Sequence, residues 1–575
     1  MPERFRLAPK RAVSCTRREL IGGALKTAIA ASILPVLRGE APDRQPPLRS
    51  INIMNFVRAE EPRTPTDLLE PVREQMALIR KYQFPATWLL QYDAMVEGPF
   101  VEFLNKEMPS DNEVGIWFEM NRRICDDAGI AWRGDPKWEW DYHVPVAYSI
   151  GYPPAERRTL ADTAMKTFRR VFGRDAKTIA SWNLDAVSME HFSTSYRADA
   201  FAVVRDQLNT DGYTVWGAPI AGYYPSRRNA WSPALDTHNQ IATPVFRLLG
   251  QDPVYYYDNR LPNPDTMEPV WPSGQSEIFV ERFLEMIARG PSLSFAYAQL
   301  GQENSFGWPM MRKGYPMQMA KLSSVRNQGS FRVETMGETG RRFKRTFAST
   351  PAQAQVMLLD PFADPFAKTA TPERTVWYQS KYLRANLHFR NNEFYLRDLH
   401  VYDDRFAEPY LEDVVQRHGI EQRMLAVLDG YHWSDDETHA GRAGERAMGK
   451  FVLIDKDGKE SSPTAAEVPS VDEDASTLRA AIPLSTGGSL DVIFTERAIS
   501  FSIKNVSKQT RLALTFEWVP ERSALRDVAA DRLHYQFRDF DYSVGIAGGA
   551  ASKTPDGARI ISGQGAELRL LMAQR

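Results

Sequence analysis

The chain has 575 residues, 43 % apolar and 25 % charged, the profile of a globular protein long enough for two or more domains. Its 71 Lys and Arg nearly balance 73 Asp and Glu, for a net charge of −2, and no basic run stands out, so nucleic acid is not an expected partner. There are two cysteines, Cys15 and Cys125, and the first lies in a segment read as cleaved, which excludes an internal disulfide framework.

Residues 1–41 read as an export signal. Thr16-Arg17-Arg18-Glu19-Leu20-Ile21 is a twin-arginine pair running into the apolar stretch Ile21–Leu37, and Gly39-Glu40-Ala41 offers a small-x-small cleavage site. The order resembles a Tat signal, which implies the Tat machinery as a transient partner and a periplasmic or secreted product. No later stretch approaches the ~20 apolar residues of a membrane span, so no membrane anchor is expected.

Residues 42–50 read as a linker. Ile51–Val57 is the first strand, and Asp67–Tyr82 follows as a helix with its apolar positions on one side and Asp67 as cap. The second strand lies in Thr87–Asp93, the helix Gly98–Asn112 comes next, and Val114–Asn121 holds the third strand. Arg122–Gly151 breaks the pattern with Trp132, Trp138, Trp140, Tyr142, His143 and Tyr148 and reads as an aromatic loop walling a cleft. Pro154–Phe172 is a helix, Ile179–Asp185 holds the fourth strand, Ala198–Leu208 reads as helical, and Tyr213–Ala218, Pro244–Leu249 and Leu293–Leu300 are the fifth to seventh strands, with a helix over Glu277–Arg289. Alternating units of this kind predict an α/β fold, a distorted seven-stranded (β/α) TIM-type barrel over 51–345. An open doubly wound sheet is the alternative. No glycine-rich phosphate loop occurs, so no nucleotide cofactor, and no other cofactor, is expected. Residues 346–575 carry short strand-like runs, with a turn at Asp455-Lys456-Asp457-Gly458, and read as a β-sandwich with a helical stretch near Ala407–Arg423 and an irregular insert over Tyr431–Met448.

Four strand ends finish in acids, Asp93, Glu119, Asp185 and Glu303, which places them on the carboxyl-end face where barrel enzymes act. Paired carboxylates suit glycosidic cleavage, one protonating the leaving oxygen and the other attacking or activating water; neighbours also raise one another's pKa. Trp88, Trp117, Trp182 and Trp308 lie among them and could stack on sugar faces, although core packing is the simpler role of a tryptophan. The loop Gly301-Gln302-Glu303-Asn304-Ser305-Phe306-Gly307-Trp308 is the most site-like in the chain. Arg58 (with Glu60 and Glu61), Asn121, His143, His191, Gln302 and Asn304 complete the expected substrate-binding set.

A seven-stranded barrel followed by a β-sandwich, with Glu113-Val-Gly-Ile-Trp-Phe-Glu119 on the third strand, resembles the superfamily uniting polysaccharide deacetylases with amylase-like retaining glycosidases. The resemblance covers mainly Ile51–Glu303 and implies a carbohydrate substrate. In the deacetylase branch it implies a metal held by an Asp after the first strand and two His four apart after the third. Here Asn55 and Arg58, then Trp117 and Asn121, stand at those places, and the barrel's His143, His191 and His238 form no such pair. No metal ligands are therefore assigned. In the glycosidase branch the resemblance implies carboxylates at the ends of the fourth and seventh strands, Asp185 and Glu303. The family nucleophile is usually Glu, so Asp185 departs from the pattern and Glu119 competes for either role. The expectation is an exported glycoside hydrolase using Glu119, Asp185 and Glu303. A metalloenzyme with Asp93, Glu119 and His143 as ligands, and a non-catalytic glycan-binding protein, are the alternatives. Ser193 and Ser195 near His191 lack a GxSxG elbow, which argues against a serine triad.

Overall fold

The computed structural model describes residues 46–572 apart from 64, 207–214, 249–266, 328–330, 358–372, 421–423, 430–447 and 519–523. The expected export segment and nearly all of the expected insert lie outside the described residues. Among the described residues, no helix is long and apolar enough to cross a membrane.

Among the described residues the barrel sheet has seven main parallel strands, β1 (Leu48–Val57), β2 (Thr87–Leu90), β3 (Glu113–Trp117), β4 (Thr178–Ala180), β5 (Ala200–Val204), β6 (Val245–Leu248) and β7 (Phe295–Leu300), and a two-residue parallel strand, Arg332–Val333, beside Ser50 and Ile51 of β1. The ladder runs β7-β1-β2-β3-β4-β5-β6, and among the described residues β6 and β7 share no ladder, so the barrel is nearly closed. Period-two alternation sorts the side chains. Met54 and Phe56 of β1, Leu89, Trp117, Ala180, Ala202 and Phe246 fill the interior, while Ile53, Val57, Leu90, Ile116, Ile179 and Val203 pack under the outer helices. Each of the Met, Phe, Leu, Ile and Val side chains among them, fully buried, contributes about 1.5–3 kcal/mol.

The helices Pro154–Phe172 and Glu277–Arg289 span the expected residues, and Leu69–Tyr82 starts where the Asp67 carboxylate accepts the Leu69 N–H at 2.9 Å. Three expectations need correction. The run Ala198–Leu208, read as helical, supplies β5, and Val215–Ala218 of the expected fifth strand is a turn. Ala200–Val204 is wholly apolar, and a short run of that kind has no periodicity to separate a buried strand from a helix. The first strand begins at Leu48, inside the expected linker, because β7 pairs with it from Leu48 onward. The stretch near Ala407 forms only the 3-10 turn Pro409–Leu411 in an otherwise irregular strap. The aromatic loop also opens with a helix, Arg122–Ala128, capped by Asn121.

The C-terminal half is a sandwich of two antiparallel sheets around one apolar core, with Gly458 at φ 80° in the expected turn. It is fastened to the barrel by buried charges in alternating order. Arg247 of β6 pairs with Asp206, just past β5, at 3.0 Å; Arg384 joins Asp206 (2.7 Å) to Asp398 (2.8 Å); His400 stands between Asp398 (3.0 Å) and Asp429 (3.7 Å). Burial opposes the charge on His400, but the two aspartates outweigh it and raise its pKa to about 9. The strap beyond Tyr402 then crosses the barrel, where Glu408 accepts the N–H groups of Ala186 (3.0 Å) and Ala230 (2.7 Å).

Candidate active site at the carboxyl-end mouth of the barrel

The inward alternation of β1 that buries Met54 and Phe56 continues to Arg58, which is only 2 % exposed at the mouth. Its Nη2 lies 3.2 Å from Glu119 Oε2 and 3.3 Å from Glu303 Oε2, and its Nη1 lies 3.7 Å from Glu61. Burial alone would lower the Arg58 pKa; Glu303, Glu119 and Glu61 more than offset it, so the guanidinium stays charged.

Each partner is placed by its own strand end. Glu119 follows β3 where the chain bends, its N–H returning to the Trp117 carbonyl at 3.1 Å. Glu303 follows β7 by way of Gly301, whose φ of 110° lets the loop close on β1; a Cβ there would lie 2.0 Å from the Met54 carbonyl oxygen. Asn304 locks the two ends together. Its Oδ1 accepts the Arg58 N–H (2.9 Å) and its Nδ2 donates to the carbonyls of Arg58 (2.7 Å) and Leu68 (2.8 Å). The Ser305 hydroxyl donates to Glu303.

Burial pushes the Glu119 carboxyl up to about 7; Arg58 opposes the shift and Glu303 adds to it. Two cations, Arg58 and Arg63, thus face three carboxylates, Glu61, Glu119 and Glu303, and protonating one of the three makes the group neutral. Nε and Nη1 of Arg58 and the Trp140 indole N–H have no hydrogen-bond partner, while the Trp117 indole adds a hydrogen bond that favours the charged form of Glu119. Unsatisfied polar atoms at this depth are costly unless a ligand or water meets them.

Aromatic rings line and close the mouth. Trp117 stacks on Phe56 at 4.2 Å, and Trp182 meets both edge-on at 5.0 Å. Trp140, from the aromatic loop, lies over the Arg58 guanidinium at 4.0 Å and is itself covered by Arg63 at 5.0 Å.

The other expected site residues have different placements. Asp185 is wholly buried as the cap of helix Ala186–Tyr196, accepting from Ser188 N–H (3.0 Å), Ser188 Oγ (2.7 Å), Ser149 Oγ (2.6 Å) and Arg157 (3.1 Å). Burial would raise its pKa, yet Arg157 and these hydrogen bonds hold it below the ordinary value. Asp185→Asn is expected to cost about 3 kcal/mol, as for a buried pair losing one member, with kcat unchanged; denaturant unfolding alongside kinetics checks this, and lost kcat at full stability would contradict the structural role.

Asp93 stands next to the mouth but spends its carboxylate on the N–H groups of Ala59 (3.0 Å), Glu60 (2.8 Å) and Ala94 (2.7 Å); burial still lifts it to about 6. Trp88 faces the outer core and donates to Asn112 at 3.0 Å. Gln302 turns outward to Glu268 (3.2 Å), and Trp308 packs on the helical layer. Asn121 caps its helix through the Ile124 N–H (3.0 Å). His143 is a half-exposed rim residue bonded to Asp141 (2.5 Å), and His191 sits between outer helices on Asp162 (2.5 Å). Arg58, Glu119, Glu303, Trp117 and Trp182 are therefore brought together, Asn304 supports them, and the remainder serve elsewhere. Trp140 is the addition; in sequence it is one aromatic among several in its loop.

A divalent ion does not suit this donor set. The Arg58 guanidinium takes the position between Glu119 and Glu303, and Asp93 and His143 are committed to other partners. Among the described residues, three such donor groups come within ligating reach of one another only at Asp398, His400 and Asp429, where Arg384 already holds Asp398.

No family model and no curated protein matches the chain. Among solved structures it is similar to a glycoside hydrolase/deacetylase from Parabacteroides distasonis, with 14 % identity over 66 % of this chain and 92 % of that one and a TM-score of 0.48. A polysaccharide deacetylase from Mycobacterium smegmatis gives 11 % identity, 53 % and 94 % coverage and a TM-score of 0.32. A polysaccharide deacetylase from Pseudomonas aeruginosa PAO1 gives 9 %, 52 % and 92 %, and 0.33. The chemistry open to the mouth follows from its own residues.

Proposed function

We propose that this protein is an exported glycoside hydrolase that cleaves an oligo- or polysaccharide with Glu119 as proton donor and Glu303 as its carboxylate partner. The observation that carries the reading is the convergence of both carboxylates on one buried arginine nitrogen, with Glu119 raised to about 7. An acid of that pKa keeps its proton near neutrality and can give it to a leaving oxygen. Glu303, held by Arg58 and Ser305, attacks the anomeric carbon or activates water. The two contacts to Nη2 set an upper limit of about 6.5 Å on the separation of the nearest carboxylate oxygens, the lower edge of the span that inverting enzymes use.

The test is hydrolysis of a glycan panel by residues 42–575, with and without EDTA. Sugar release that ignores EDTA and is lost in Glu119→Gln and Glu303→Gln is the expected result. Acetate release without sugar release, abolished by EDTA, would replace this reading with metal-dependent deacetylation. Binding without turnover, surviving loss of both carboxylates, would leave a glycan-binding protein.

A further inference from the structure

We propose that Gln91 is a specificity-determining residue of the mouth, its carboxamide reading a pair of hydroxyl groups on a neutral pyranose. The proposal deepens the glycosidase reading and rests on it for the identity of the ligand.

The placement follows from register. On β2, Leu89 points into the barrel while Trp88 and Leu90 point to the outer helices, so Gln91, still extended at φ −65° and ψ 159°, points inward. Val57 pairs with Leu90 and Leu90 with Ile116, and the Gln91 N–H binds the Val57 carbonyl at 2.9 Å. One step further along these ladders sets Gln91 beside Arg58 on one side and Trp117 on the other. It therefore occupies the layer that holds the guanidinium and the stacked rings.

Gln91 is fully buried, yet neither its Oε1 nor its Nε2 has a hydrogen-bond partner. The other polar residues of β2 are engaged: Thr87 Oγ1 accepts the Met336 N–H at 2.9 Å and the Trp88 indole donates to Asn112. An amide buried without a protein partner on the mouth-facing side of a barrel is destabilising for the fold, and a ligand that supplies both a donor and an acceptor removes that cost. Neighbouring sugar hydroxyls do this, one accepting from Nε2 and the other donating to Oε1. The charges beside Gln91 are already balanced when Glu119 is protonated, so the site asks for hydroxyls rather than an anionic group.

The test compares wild type with Gln91→Leu, which removes both polar atoms at nearly constant volume. Thermal shift with glucose, galactose, mannose and xylose reads binding, and nitrophenyl glycosides of the same sugars and their monodeoxy analogues read kcat/KM. The expected result is a wild-type shift with at least one sugar that Gln91→Leu abolishes, with the melting temperature of the free variant unchanged or raised. On turnover, the variant loses roughly tenfold on the preferred glycoside, as for one neutral hydrogen-bonded site, and little on the analogue lacking the contacted hydroxyl. Equal losses on parent and deoxy substrates, or a lower melting temperature in the free variant, would assign Gln91 a structural role and overturn the proposal, as would the absence of any wild-type shift. Sugar binding that depends on Gln91 with no hydrolysis by wild type would overturn the glycosidase reading alone.

Discussion

Glu119→Gln is expected to lower kcat by roughly 10²- to 10⁴-fold, the contribution of a positioned general acid, while leaving the fold intact. The amide keeps the shape of the side chain but has no proton to give. In the wild type, activity should fall as pH rises through about 7, because burial sets the Glu119 titration there and the acid must be protonated to act. The variant's residual activity should lose that alkaline limb.

The stability sign runs the other way. The folded-state pKa of Glu119, about 7, stands above the ordinary value of 4.5. The folded protein therefore holds a proton that the unfolded chain has lost. This contribution is complete below the unfolded pKa and disappears as pH climbs from about 4.5 to about 7, a change of about 3 kcal/mol. Glu119→Gln escapes it and should gain stability relative to wild type over that window. Denaturant midpoints at pH 5 and pH 8, with a pH–rate profile, check both halves; a variant that keeps wild-type kcat would remove Glu119 from the mechanism.

Arg58→Met is expected to be the most disruptive single change at the mouth. It deletes the one cation that forms ion pairs with Glu119, Glu303 and Glu61 and leaves the first two buried with only the more distant Arg63 as counter-charge. Breaking a buried pair of this kind costs about 3–5 kcal/mol. The loss should be greatest at pH 8 and shrink towards pH 5, where Glu119 is protonated. Arg58→Lys should recover part of it, since an ammonium restores the charge but neither the forked geometry nor the planar contact with Trp140. Thermal unfolding across that range is the measurement, and a pH-independent loss would show that packing rather than charge is what Arg58 supplies.

How far the mouth could be read in advance differs residue by residue. Arg58, Glu119 and Glu303 were legible because each ends a strongly apolar strand, and the end of a parallel barrel strand faces the mouth. Asp185 satisfied the same pattern and fills another role. Whether a strand-end acid meets substrate or caps the next helix depends on partners remote in sequence, here Ser149 and Arg157. Gln91 was legible in principle from the alternation Leu89–Gln91, but an amide attracts notice only once its neighbours are known to leave it unpaired. Trp140 could not be singled out, because nothing local distinguishes the ring that lies on Arg58 from Trp138 two residues earlier.

The order of parts, a parallel barrel followed by a β-sandwich, is written locally along the chain, since periodicity, turn residues and apolar runs are properties that each segment carries wherever it goes. Which strands end in acids is equally local. That Glu119 and Glu303, 184 positions apart in the chain, meet on one guanidinium, and that Asp185 does not join them, follows from the folded arrangement alone. Burial and charge pairing set the protonation of a carboxyl and the availability of its oxygens, and both arise from side chains that only barrel closure brings together.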